Sequence, residues 1–496
     1  MPGDAGEELV LPQPSPVLQT EAPVEALRPL CVDLDGTLVK SDTLVDSLLT
    51  LVRARPLLLF PLAGHLMRGK AAFKAFVTES VPLDVLHLPY NRVLLEFLHQ
   101  ERARGRDLYL ATGANQNLAR RVADYLGIFA DVLGSDGATN LTGSKKLEGL
   151  RNRLGSAAFD YIGNDTPDLP LLAHATEAMV ANPTLGLRMR LRTRGIKPAH
   201  SFMERKAFPQ SLLKAARVQQ WAKNLLIFVP LLCSHALNTG KLLTALLAFC
   251  CFSLTASSVY IFNDLLDIEA DRRHPRKSQR PFASADLSAF AGASIALIFL
   301  VAGLAGAEML PGRFFGWILL YLATTFAYSV LLKRFVLVDV LVLSGLYILR
   351  LLAGSAVTQT PISDWLAGFS LFLFLSLALV KRFAELENMR ATNAAPNNGR
   401  GYIVADLDQL RSFGTSSAYA AVVVFAIYIT GPDVQKLYRE PRLLWLCVPL
   451  ITLWLNRVWL LASRGHLDED PVAFALTDRM SLLIGAAVVI VALMAV

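Results

Sequence analysis

The feature that most constrains this chain is a series of apolar runs. From about Trp221 to the C-terminus they recur at lengths of about 17–22 residues, separated by short polar stretches. A helix of that length crosses a hydrocarbon core ~30 Å thick. Nine spans are expected, near 221–238, 242–262, 287–306, 313–331, 336–354, 364–380, 415–431, 443–461 and 479–496. The part before Trp221 reads as an ordinary soluble domain, so the 496 residues divide into two parts, and the 53% hydrophobic content comes mainly from the second.

The formal charge of +7 follows the same division. Lys and Arg crowd into the connections Asp264–Asp286, Leu332–Phe335, Lys381–Gly414 and Ala462–Asp478, while the opposite connections are short and poor in bases. By the positive-inside rule those four segments and the N-terminal domain face the cytoplasm, and the C-terminus lies outside. The reading is an integral protein of the cell inner membrane, with the bilayer as partner. It needs no nucleic acid to account for the basic balance, and it leaves a homo-oligomer open. Cys31, Cys233, Cys250, Cys251 and Cys447 show no metal or disulfide spacing and read as small apolar residues.

Residues 1–26 are acidic and Pro-rich and read as a disordered leader. A domain is expected over 27–185, with a short helical cap at about 42–105, then a basic linker over 186–214 and the membrane domain over 215–496. In the first domain, short apolar strands at Pro29–Asp33, Asp107–Ala111 and Phe159–Gly163 alternate with helical patterns such as Asn117–Gly127. Alternation of this kind predicts an α/β domain with a parallel sheet and chemistry at the carboxyl ends of its strands. The stretch 44–76 is apolar and basic, a composition suited to a cap resting on a membrane surface.

The most informative membrane segment begins at Asn263 and places Asp264, Asp267 and Asp271 at i, i+3 and i+7, at the end of a long apolar span. On one continuous helix all three project from one face. Three converging carboxylates repel unless cations lie among them, and hard oxygen donors suit Mg²⁺, which takes the rest of its shell from water and substrate phosphates. Lys277 and Arg280 follow at once and suit the remaining phosphate charge. The segment Asn263-Asp-x-x-Asp267-x-x-x-Asp271, with His274-Pro275, Lys277 and Arg280-Pro281, resembles the first Asp-rich motif of the UbiA superfamily of membrane transferases. The resemblance runs from about Arg217 to Val496. It implies an all-helical bundle of nine spans with a cavity open towards the cytoplasm and, sideways, to lipid.

Prenylating members of that family carry a second Asp-rich motif, used for a prenyl diphosphate. Here Lys381-Arg382-Phe-Ala-Glu385 stands after the sixth expected span instead. With Gln220, Lys223 and Asn224 at the entry to the first span, Tyr328 and Lys333 at the fourth, and Asp339 and Arg350 on the fifth, the set resembles the polyprenyl-phosphate phosphoribosyltransferase branch. That resemblance implies 5-phosphoribosyl diphosphate as donor and a long-chain polyprenyl phosphate as acceptor. Asp264, Asp267 and Asp271 would hold Mg²⁺ against the leaving diphosphate, and Lys223, Lys333, Lys381 and Arg382 would meet the lipid phosphate. Glu385, one turn after Lys381, would orient that lysine or bind a ribose hydroxyl. Arg350, well inside a span, reads by default as functional. His274 reads as a turn-shaping residue.

In the first domain, Asp33-Leu-Asp35-Gly36-Thr37 follows the first strand, Thr112 ends the second, Lys146 opens Lys146-Leu-Glu-Gly-Leu, and Gly163-Asn164-Asp165-Thr-Pro-Asp168 follows another strand. This ordered set resembles the haloacid-dehalogenase (HAD) phosphatase family. It implies Asp33 as nucleophile, Asp35 as general acid and base, Thr112 and Lys146 as phosphoryl-binding residues, and Asp33, Asp35, Asp165 and Asp168 as donors to Mg²⁺. Asn164 departs from the family, which has Asp at that position. Two other functions compete: prenyl transfer to a small acceptor beside an inactive or regulatory HAD domain, and a transporter or lipid-binding membrane protein with a regulatory HAD domain. The missing second Asp-rich motif argues against the first. The absence of a second copy of the 263–281 loop argues against the second.

Overall fold

A computed structural model describes residues 27–136, 139–155, 157–235, 237–392, 400–467 and 470–496. The expected leader lies outside the described residues. Contacts divide the chain into two units: the first holds 57–204 with the residues before Leu49, and the second holds Leu49–Pro56 with Arg205–Val496. The first unit therefore runs past the expected boundary at 185. Helix Leu185–Thr193 buries Leu187 and Leu191, and a further strand follows it, so much of the basic stretch read as a linker is packed structure.

The first unit is built on six parallel strands, β1 (Leu30–Val32), β2 (Leu108–Asn115), β3 (Asp131–Ser135), β4 (Asp160–Gly163), β5 (Ala178–Ala181) and β6 (His200–Phe202), in the order β3-β2-β1-β4-β5-β6. Strand periodicity assigns the two apolar layers. Leu30, Val32, Ile162 and Met179 enter one cluster, and Cys31, Tyr161, Ala178 and Val180 enter the other. β1 lies between β2 and β4, where the strand order reverses. A crevice therefore opens beyond its carboxyl end, and Asp33 is the next residue.

The second unit is helical, and it makes the protein an integral membrane protein. Among the described residues six helices are long and apolar enough to cross a membrane: Thr239–Leu266, Ala289–Glu308, Val338–Thr358, Asp364–Ala391, Val404–Thr430 and Pro441–Ser463. A seventh span is formed if Pro471–Thr477 and Arg479–Ala495, bent by 81°, count as one. The count of nine expected from the sequence is not reached. The segment near 221–238 folds as a 3₁₀ stretch, Val218–Phe228, and a five-residue helix, Val229–Cys233. The segment near 313–331 is a helix of 17 residues. Small residues let these helices approach closely: a Cβ on Gly414 would lie 2.0 Å from the Trp459 ring.

Candidate active sites

In the first unit the site forms around the loop after β1. Lys146 Nζ donates to Asp33 Oδ1 at 2.7 Å, Asp168 Oδ1 at 3.0 Å and Tyr161 OH at 3.0 Å. This identifies Lys146, and not exposed Lys145, as the lysine of the site. Thr37 Oγ1 donates to Asp33 Oδ2 at 3.4 Å, and Asp35 Oδ1 accepts from the Thr43 amide at 2.8 Å. Thr112 is fully buried, and its hydroxyl accepts from the Ala114 amide. Burial pushes the Asp33 carboxyl up to about 7 against the pull of Lys146. Burial, aided by the charge of Asp42, pushes Asp35 up to about 8. A carboxyl that keeps its proton near neutrality suits a general acid.

The two acids expected as further metal donors are both hydrogen-bonded within the protein. Besides Lys146 and Tyr161, Asp168 accepts from the amides of Asn164 and Asp165 at 3.1 and 3.3 Å. Its carboxyl is held low because Lys146 and these bonds outweigh burial. Asp165 accepts from the Thr166 amide and the Thr184 hydroxyl and caps the turn Thr166–Asp168. Asp168 is therefore a positioning residue for Lys146, and Asp165 fixes the loop. The side chain that reaches the β1 loop is Asn164. A Cβ on Gly36 would lie 2.0 Å from its Nδ2, so position 36, at φ +76°, admits only glycine. Asp33 and the Asn164 amide oxygen are the hard side-chain donors available to Mg²⁺ here, which leaves the Asp35 carboxyl to carry its proton.

In the membrane unit, Asp264 and Asp271 are buried and meet at one guanidinium. Arg280 Nη1 donates to Asp264 Oδ1 at 3.1 Å and to Asp271 Oδ2 at 2.7 Å. Arg217 Nη2 also reaches Asp264 Oδ1, at 2.5 Å. Arg217 holds φ +51°, an uncommon conformation for a side-chain-bearing residue and a kind of strain that gathers at functional sites. Asp267 does not join them. The helix ends at Leu266, and Asp267 stands at the break before Ile268–Arg272. Its side chain is 41% exposed and pairs with Arg53, from the segment 49–56 of this same unit. Among the described residues no group of three or more His, Cys, Asp or Glu is placed to hold a metal. The expected three-carboxylate cluster is thus a two-carboxylate one. Asp264 and Asp271 still fit a divalent cation, because their oxygens already converge on one positive centre.

Lys277 is half-buried in the turn Lys277–Gln279, and His274 Nδ1 accepts from the amides of Arg276 and Lys277, so His274 shapes that turn. Asn263 is half-buried, and its carbonyl accepts from the Asp267 amide. Gln220 and Lys333 are half-buried.

A second polar centre lies among the helices. Lys223 Nζ hydrogen-bonds Asp470 and lies 5.7 Å from the centre of the Tyr347 ring. Asp470 also feels the charge of Lys381. Asn224 donates to Ser253 at 2.9 Å and accepts from Arg350 Nε at 2.8 Å. The Arg350 guanidinium lies 5.1 Å from the ring centres of both Phe252 and Tyr321. Aromatic faces thus cover a cation buried in the span.

Arg382 and Glu385 sit in a dense polar network. Arg382 is 1% exposed and donates to Asp339 at 2.5 Å, Glu385 at 2.6 Å and Tyr328 OH at 3.0 Å. Glu385 also accepts from Arg400 at 2.8 Å, and Asp339 accepts from Tyr402 OH at 2.5 Å. This network ties three helices to the 400–402 loop. It engages the groups of Arg382, Glu385 and Tyr328 within the bundle, and Glu385 accepts from two arginines.

The sequence pattern of the UbiA prenyltransferase family matches residues 225–484, more than half of the chain's 496. The chain belongs to the UbiA prenyltransferase family. Its membrane unit is accordingly a UbiA-type transferase. The uncharacterized protein y4nM of Sinorhizobium fredii is 35% identical over 460 residues, 92% of this chain and 89% of its own. Decaprenyl-phosphate phosphoribosyltransferase of Mycobacterium tuberculosis is 33% identical over 285 residues, 56% of this chain and 91% of its own. For the first unit, the HAD family hydrolase t0658 of Salmonella enterica aligns with 35% of this chain and 67% of its own at 16% identity and a TM-score of 0.27. The phosphohydrolase reading therefore rests on the residues around Asp33.

Two further residues of this UbiA member, Arg217 and Asp470, take places in these sites that the sequence does not announce. Arg217 stands in the motif with Gln220 and Lys223 but gives no sign of its backbone conformation. Asp470 before Pro471 reads as an ordinary helix cap, and it does cap Pro471–Thr477. Its role as partner of Lys223 appears only in three dimensions.

Proposed function

We propose that the membrane unit transfers a 5-phosphoribosyl group from 5-phosphoribosyl diphosphate to a long-chain polyprenyl phosphate with Mg²⁺, and that the first unit removes the 5-phosphate of the product. The observation that carries the reading is the convergence of Asp264 and Asp271 on one cationic centre at the end of an apolar helix. The mycobacterial relative's name supplies the substrate class. Asp264 and Asp271 would hold the metal, which when bound neutralises charge on the departing diphosphate. Arg280, Arg217 and Lys277 are then available to phosphate oxygens, for which guanidinium forks are suited.

A lipid phosphate oxygen forms the new bond to ribose C1 as the bond to diphosphate breaks. That oxygen is already ionised, so no base is required. Lys223 and Lys381 hold it, and Asp470 balances the two lysines until the phosphate arrives. Arg350 fixes Asn224 and so positions the neighbouring Lys223. In the first unit, Asp33 attacks phosphorus to form an aspartyl phosphate while Asp35 gives its proton to the departing ribose oxygen. Asp35 then takes a proton from the water that releases phosphate. Lys146 and Thr112 neutralise and orient the phosphoryl oxygens. The protein faces its basic connections and both sites to the cytoplasm.

The test is release of inorganic diphosphate by the full chain in lipid. It is expected with 5-phosphoribosyl diphosphate and a polyprenyl phosphate together, and not with either alone. Release only with a prenyl diphosphate and a small acceptor would overturn the reading.

A further inference from the structure

The helix Leu59–Met67 presents apolar side chains to the outside. Leu57, just before it, is 77% exposed, Phe60 81%, Leu66 57% and Met67 90%. Its sequence, LFPLAGHLM, contains no acid, Lys or Arg. Covering one such side chain is worth about 1.5–3 kcal/mol, so a run of them left in water is costly. Several exposed apolar side chains on one short segment mark a contact with another phase or partner.

Three observations select the occupant. Bases flank the apolar run on both sides: Arg53 and Arg55 before it, Arg68 and Lys70 after it. Leu57 follows directly in the chain on Leu49–Pro56, a segment that belongs to the membrane unit. The helix is also secured from behind, since His65 stacks on Phe76 with ring centres 4.1 Å apart. Phe76 lies on helix Lys70–Ser80, whose Lys74 donates to the Gly113 carbonyl at 2.8 Å, one residue past Thr112. Apolar side chains bounded by bases fit a bilayer surface, with the former at the acyl boundary and the latter at anionic headgroups.

We propose that residues 56–68 lie in the bilayer surface, with Leu57, Phe60, Leu66 and Met67 inserted and Arg55 and Arg68 at anionic headgroups. The phosphatase mouth is thereby held at the depth of lipid-borne phosphate esters. The inference depends on membrane anchorage and not on which donor or acceptor the transferase uses.

The test places the photo-crosslinking residue p-benzoylphenylalanine at position 60 or 67 of the full chain, with position 125 as an exposed control. The protein is reconstituted in phosphatidylcholine vesicles with and without phosphatidylglycerol. Irradiation is expected to give lipid adducts at 60 and 67 and none at 125. Adding Arg55→Glu and Arg68→Glu, both at exposed positions, is expected to lower adduct yield about tenfold in the anionic vesicles. Crosslinks only to protein, whether a second copy or the same chain, would overturn the proposal. So would equal lipid adducts at all three positions.

Discussion

Arg280 stands where the sequence placed a metal, and that substitution orders the three aspartates. Asp264→Asn and Asp271→Asn each remove a carboxylate from the shared centre and are expected to lower diphosphate release by about 100-fold or more. Asp267→Asn is expected to cost less than about tenfold, because Asp267 stands apart at a helix break. Steady-state diphosphate assays of the three variants check the order, and equal losses would restore the three-carboxylate reading. The i, i+3, i+7 spacing was legible, but it implies one face only while the helix continues. It ends at Leu266, which spacing alone does not reveal.

Asn164 is the corresponding case in the first unit, where its amide lies against Gly36. Asn164→Asp is expected to tighten Mg²⁺ by roughly tenfold, since ligand charge sets affinity at hard-oxygen sites. Burial raises Asp33 to about 7 and Asp35 to about 8. The folded, metal-free unit thus holds protons that the unfolded chain has lost above the ordinary carboxylate range. Its stability falls as pH rises from about 4 to about 8, where the unfolded state binds fewer protons. Mg²⁺ binding near pH 7 should therefore expel the Asp33 proton. Calorimetry in two buffers of different ionisation enthalpy measures the release, which should vanish by about pH 8, one unit above the Asp33 carboxyl.

Among the elements, most helices of the membrane unit could be read from apolar runs, whereas the stretch before Thr239 could not. Hydropathy sees the apolar residues of 221–238 but not Asn224, which is 1% exposed and bound to Ser253 and Arg350. Satisfying those buried polar groups favours a tight 3₁₀ path over a straight span. The Lys381-Arg382 pair was equally opaque. Adjacent residues on a helix point about 100° apart, so the two cations serve different neighbours. Arg382→Met leaves Asp339 and Glu385 without their central partner and is expected to destabilise the bundle by about 3–5 kcal/mol. Lys381→Met is expected to leave thermal unfolding in detergent unchanged while transfer is lost. If both variants unfold alike, Lys381 is structural as well.

At the scale of the whole molecule, the proposed function puts two chemistries on one chain, and the value of such an arrangement is kinetic. Covalent linkage fixes the local concentration of one site for the product of the other without any new contact. A chain with Asp33→Asn is expected to accumulate the phosphorylated lipid product, whereas the parent releases inorganic phosphate. Mixing Asp33→Asn chains with Asp264→Asn chains separates the steps onto different molecules, so the product must diffuse laterally within the membrane to be hydrolysed. Phosphate release should then show a lag that lengthens as the protein is diluted in lipid, while the parent shows a short lag independent of dilution. Identical lags at every protein-to-lipid ratio would mean that product leaves each chain before hydrolysis. The fusion would then supply both enzymes together but would not couple them.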